Sequence, residues 1–158
     1  MPLIVFIGIG LTAATVLIHS IGTVLWIQHL QRKYATSGQA ESPQSEQDKS
    51  NHSQGTILWT LCVATITVAL LHVAEVSLWA VAYQFIPNID NLVTFEEAFY
   101  FSMVTFTSLG YGDIVIGNSW RILCGLEAMA GTLVFGWSSA LLLTLFLRMT
   151  NIAQPRDH

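Results

Sequence analysis

The chain has 158 residues, 53% of them hydrophobic and only 10% charged, with a formal net charge of −4. Its mean hydropathy is +0.55, which excludes a soluble globular domain and marks a membrane protein; no nucleic-acid partner and no cofactor are expected. Three apolar segments exceed the roughly 20 residues that a bilayer crossing requires: Leu3 to about Leu30, Thr56 to about Phe85, and about Trp120 to Leu147.

The first segment has no basic leader, is too long for the apolar region of a signal peptide, and ends without a clear small-residue cleavage site. It is therefore expected to remain as a helix over 1–30, with Trp26 as an interfacial anchor. From Ala35 to Gln54 the sequence turns to Ser, Gln, Gly, Glu, Pro and Asn, so residues 31–55 are expected to form a flexible linker. The second span, over 56–86, is expected to stop at the Pro87-Asn88 turn.

Thr94, with Glu97 three residues on and Glu96 beside it, has the pattern of a helix N-terminus with a capping box. A helix over 94–107 is roughly 20 Å long, too short for a hydrocarbon core of about 30 Å. It enters the membrane and stops midway, with its partially negative C-terminal end aimed at the centre, where a cation is least stable. The following run, Thr107-Ser-Leu-Gly-Tyr-Gly-Asp113, is too polar and glycine-rich to continue the helix. Extended at about 3.3 Å per residue, Ser108 to Gly112 returns roughly 16 Å toward the face of entry. Irregular backbone at such depth is tolerated only where protein or water covers it. A dehydrated cation needs a ring of oxygens, which backbone carbonyls can supply if Gly110 and Gly112 let the chain leave ordinary strand geometry. One chain offers one wall of such a ring, so several copies must close around an axis.

The YFSMVTFTSLGYGD run resembles the signature of the potassium-channel pore family, whose usual filter reads Thr-Val-Gly-Tyr-Gly-Asp. Carbonyl coordination of K+ is that family's mechanism and enters through the resemblance, which extends from about Thr94 to Met149. Ser108 replaces the usual Thr and Leu109 the usual Val or Ile, keeping a hydroxyl and an apolar side chain. The resemblance implies a pore domain over 56–149, with an outer helix (56–86), a pore helix (94–107), a filter (108–113) and an inner helix (120–148). K+ would be held at Ser108, Leu109, Gly110 and Tyr111, with Gly112 completing the filter. Asp113, with Glu96, Glu97 and Asp90, would make the mouth acidic. Tyr100 and Phe101 would pack behind the filter, and Gly131 would occupy the hinge position of the inner helix. Thr132, Phe135 and Ser139, at helical spacing from it, would line the cavity. The expected fold is all-α: three transmembrane helices plus a re-entrant pore helix and filter loop, assembled as a homotetramer in the bilayer. With the short 150–158 tail, no soluble ligand-binding domain is expected.

Three spans put five of the six basic residues, Arg32, Lys33, Lys49, Arg148 and Arg156, on one side. The positive-inside rule makes that side cytoplasmic and puts the N-terminus outside a cell membrane, the orientation that the resemblance also implies. No span carries the repeated basic series of a voltage sensor. Cys62 and Cys124, inside apolar spans, read as small buried hydrophobes rather than a disulfide.

His19, His72, Glu75 and Glu127 lie within apolar spans, where an unpaired charge is costly. His72 and Glu75 share a helix face, and Glu127 is turned about 140° from Thr132, away from the cavity. The four residues are expected to dock the first helix on the pore as polar contacts; a protonation-linked gate and a bound metal are the other readings. A non-selective monovalent cation channel on the same scaffold is the second function. A metal-dependent hydrolase built on His19, His72 and Glu75 lacks both an HExxH motif and a nucleophile, so no enzyme is expected. A non-conducting accessory subunit would leave the filter run unexplained.

Overall fold

The computed structural model describes residues 2–37, 46–86, 92–117 and 120–153. These form four helices, α1 (Pro2–Ser37), α2 (Glu46–Gln84), α3 (Phe95–Phe106) and α4 (Arg121–Ala153), and no strand occurs among the described residues. The protein is all-α. Stretches of α1 (Pro2–Arg32), α2 (Gly55–Gln84) and α4 (Arg121–Thr150) are long and apolar enough to cross a membrane. The helices run further into the 31–55 segment than its polarity suggests, α1 to Ser37 and α2 from Glu46. Adding a turn to an existing helix avoids the cost of nucleation, and Glu, Gln and Lys are good helix formers. The Pro87-Asn88 turn and Asp90 lie outside the described residues.

At 12 residues, α3 is roughly 18 Å long and cannot span. Its start is fixed locally. Thr94 Oγ1 accepts from the Glu97 amide at 3.2 Å, while Glu97 Oε2 accepts from the Thr94 and Val93 amides at 2.9 and 3.0 Å. These bonds, the Thr94 amide first, hold the Glu97 carboxyl below its ordinary range. Gln84, at the end of α2, donates to the Leu92 and Thr94 carbonyls at 3.2 and 3.1 Å and ties the connecting segment to the helix it follows.

Helix α3 is wedged between α2 and α4, and α1 packs against the outer side of both. The core surrounds the wedge: Trp79, Tyr83, Phe106, Leu123 and Val134 are buried almost completely, and Phe101 meets Tyr83 edge-on at 5.3 Å. Gly131 lets α4 approach. A Cβ there would lie 2.9 Å from the Phe106 carbonyl carbon and closer still to its oxygen, which is helix backbone and cannot rotate away. The glycine at the expected hinge position is thus a point where the inner helix is pressed against the end of the pore helix.

Within this chain the long helices bury little of themselves; in the most apolar window of α2 only 11% is buried. Their remaining surface suits lipid or further protein. Cys62 lies on that outward surface rather than in the core, because α1 and α4 cover a different face of α2, and Cys124 is partly buried. Neither cysteine is in a disulfide.

Candidate functional site

Beyond α3 the chain turns back over the helix end. The Ser108 amide donates to the Thr105 carbonyl at 2.9 Å, and the Leu109 and Gly110 amides to the Val104 carbonyl at 3.0 and 3.3 Å. Ser108, Gly110 and Gly112 then adopt positive φ values of 58°, 56° and 76°. Carbonyls alternate sides along an ordinary strand; a left-handed residue at every second position removes that alternation, as a row of carbonyls aimed at one axis requires. Gly110 and Gly112 take this conformation without a Cβ clash. Ser108 does so at a cost of roughly 1–2 kcal/mol. Sequence reasoning assigned the turn to the glycines and missed the serine, although its place one step back in the same period of two was the available signal. Residues Thr107 to Asp113 are all exposed in the single chain.

The outer end of this loop is braced from the helix. Tyr100 Oη donates to Asp113 Oδ2 at 2.7 Å, and this bond, ahead of neighbouring backbone amides, holds the Asp113 carboxyl below its ordinary range and pushes the Tyr100 hydroxyl up. A depressed carboxyl value means that the tie is intact above the ordinary carboxylate range and is lost as pH falls through the lowered value. Transport that depends on this brace should therefore fail at acid pH, whereas Tyr100→Phe, which lacks the brace at every pH, should show reduced flux throughout and lose this acid step. Ion flux into proteoliposomes across a pH series compares the two proteins; identical flux and pH profiles would dismiss the brace.

On α4, Thr132 and Ser139 are exposed, each hydroxyl donating to its own helix, to the Ala128 and Phe135 carbonyls at 2.9 Å. Phe135, expected on the same open face, is partly buried instead, with its ring 4.6 Å from that of His72 and 5.6 Å from that of Phe106.

The four intramembrane ionisable residues separate into two groups. His19 Nδ1 and His72 Nδ1 lie 2.9 Å from Glu75 Oε1 and Oε2 respectively. Ser138 Oγ completes a ring, 3.2 Å from His19 Nε2 and 3.1 Å from His72 Nε2. This joins α1, α2 and α4. Glu127 is elsewhere: Tyr83 Oη donates to its Oε2 at 2.6 Å, and the Ser102 hydroxyl proton is shared between its Oε1 and the Val76 carbonyl at 3.0 Å. Glu127 therefore ties α2, α3 and α4 together within the pore module and takes no part in holding α1. Ser138, Ser102 and Tyr83 were not singled out from sequence, because serine and tyrosine are common in spans and only a partner distinguishes them. A further tie of the same kind, Trp79 Nε1 donating to Thr15 Oγ1 at 2.9 Å, joins α1 to α2.

A half-length helix held between two spanning helices, followed by a returning loop with alternate left-handed residues, is the pore module of a membrane channel. The chain belongs to the ion-channel family, in its potassium-channel pore-domain form: residues 57–148 match the family model described as "Ion channel". It is also 32% identical over 107 residues to the inward rectifier potassium channel Kirbac3.1 of Paramagnetospirillum magnetotacticum. That alignment covers 65% of this chain and 36% of the relative, so the chain spans only about a third of that protein's length. No solved structure matches it. The family match starts after α1, which is an addition to the shared module.

Proposed function

We propose that the chain is one subunit of a homotetrameric channel that conducts K+ passively across a cell membrane, with the N-terminus outside and the C-terminus cytoplasmic. The observation that carries this reading is the alternation of left-handed residues at 108, 110 and 112 at the end of a helix that stops within the membrane. Ser108, Leu109, Gly110 and Tyr111 coordinate the ion, Gly112 and Asp113 form the outer end, and Thr132 and Ser139 face the cavity below. Assembly is supported by exposure: in the single chain Leu109 is 55% and Tyr111 67% exposed beside bare polar backbone. Lipid cannot satisfy that backbone, whereas copies around an axis cover the side chains and leave the carbonyls to the ion. The Kirbac3.1 relative, a potassium channel by name, supports K+ as the permeant ion.

The test is the reversal potential of the purified protein in planar bilayers with potassium on one side and sodium on the other. A value close to the potassium equilibrium potential is expected. Clear currents reversing near zero would assign a non-selective monovalent cation channel on the same scaffold, with Ser108 and Leu109 the first residues to exchange for Thr and Val.

A further inference from the structure

We infer that His19, His72 and Glu75 form a binding site for a divalent transition-metal ion of the zinc class, which fastens α1 to the pore module. The starting point is the proton of Ser138, which its Oγ donates to the Val134 carbonyl at 2.8 Å. A hydroxyl has one donor and two acceptor positions, so the contacts to His19 Nε2 and His72 Nε2 are ones in which Ser138 accepts. Each ring thus directs its Nε2 at Ser138 and its Nδ1 at Glu75, and in the neutral Nε2–H tautomer that this arrangement accommodates each Nδ1 is a lone pair. Both lone pairs point at the Glu75 carboxylate, each 2.9 Å from one of its oxygens. Two nitrogens and two oxygens therefore converge where the His19 and Glu75 side chains are 1% and 0% exposed and that of His72 15%.

In that tautomer the two nitrogens and the carboxylate need a cation between them. Protons on both nitrogens would leave two imidazolium rings stacked near-parallel at 5.4 Å against one carboxylate. Among the described residues no second anion serves them: α1 contributes His19, α2 contributes His72 and Glu75, and the carboxylate of Glu127 on α4 is engaged with Tyr83 and Ser102. One dication supplies the same charge and satisfies all four lone pairs. Two imidazoles and a carboxylate are a donor set that zinc accepts, and one ligand atom from each of the three side chains lies within 4.8 Å of the others. The Nε2–H groups held by Ser138 are the outer contacts that orient ligating histidines. Trp137 edge-on to His19 at 6.0 Å and Phe135 beside His72 give the site an apolar wall. Because His19 lies outside the family match, the site accounts for a helix that the shared pore does not explain.

The experiment uses the full chain, purified in detergent, stripped with a chelator and titrated with Co2+, following the visible d–d absorption and its displacement by Zn2+. One ion per chain is expected, with affinity falling roughly 10- to 100-fold in Ser138→Ala and at least as far in Glu75→Gln. Ser138→Ala keeps all three ligands, so it remains informative if Glu75→Gln does not assemble. No stoichiometric uptake by the unaltered chain, or uptake that Ser138→Ala leaves unchanged, would overturn the proposal and assign the ring to protons. Binding is read without flux, so its failure is distinguishable from failure of the channel reading.

Discussion

Gly110→Ala should abolish ion flux while leaving the chain folded. Gly110 sits at φ 56°, and a Cβ added there would meet no heavy atom within 4 Å in the chain, so the penalty is conformational and not a collision. A side chain in the left-handed region costs roughly 1–2 kcal/mol, and in the proposed homotetramer the same penalty falls on every subunit. Over four copies that amounts to roughly 4–8 kcal/mol against the conducting backbone, which lowers its population by about 10³-fold or more. The cheapest relaxation is to rotate the neighbouring peptides, which takes carbonyls away from the proposed ion path. Potassium flux into proteoliposomes reads the loss, and an unchanged unfolding midpoint shows that the fold survives. Flux at the level of the unaltered protein would mean that ions do not pass along residues 108–112.

The largest stability loss from a single side chain is expected at Glu127. It is fully buried, and Tyr83 and Ser102 both direct hydroxyls at it, so α2, α3 and α4 meet on one carboxyl group. Glu127→Ala opens a cavity and leaves two buried hydroxyls without their partner, at a cost of about 3–5 kcal/mol. For a chain of this size that corresponds to a fall of roughly 10 °C in the unfolding midpoint of the solubilised protein. Glu127→Gln keeps an acceptor oxygen for Tyr83 and nearly the same volume, so it should lose about 1 kcal/mol. Alanine and glutamine variants that unfold together with the unaltered chain would remove Glu127 from its structural role. Because α1 makes no bond to Glu127, this loss is expected to be independent of metal at the His19 site.

Much of this protein can be read from local sequence. Span length follows from apolar runs measured against bilayer thickness, and the start of α3 from Thr94 and Glu97, whose reciprocal bonds close within four residues. Gly110 and Gly112 mark the loop, since they alone among its residues lack a Cβ. These features depend on near neighbours along the chain, so their signals are written there. The three spans are different. Their apolar residues run all round the helix, so no stripe tells which face turns inward. The choice of Ser138 as the partner of two histidines, the separation of Glu127 from them, the outward position of Cys62 and the contact of Gly131 with the Phe106 carbonyl all depend on how each helix is rotated and how deep it sits. Packing between helices sets those two variables, with small residues allowing close approach and buried polar groups finding whichever partner the approach presents. The left-handed Ser108 belongs with them, because a strained conformation is held by the surrounding structure and not by the residue that adopts it.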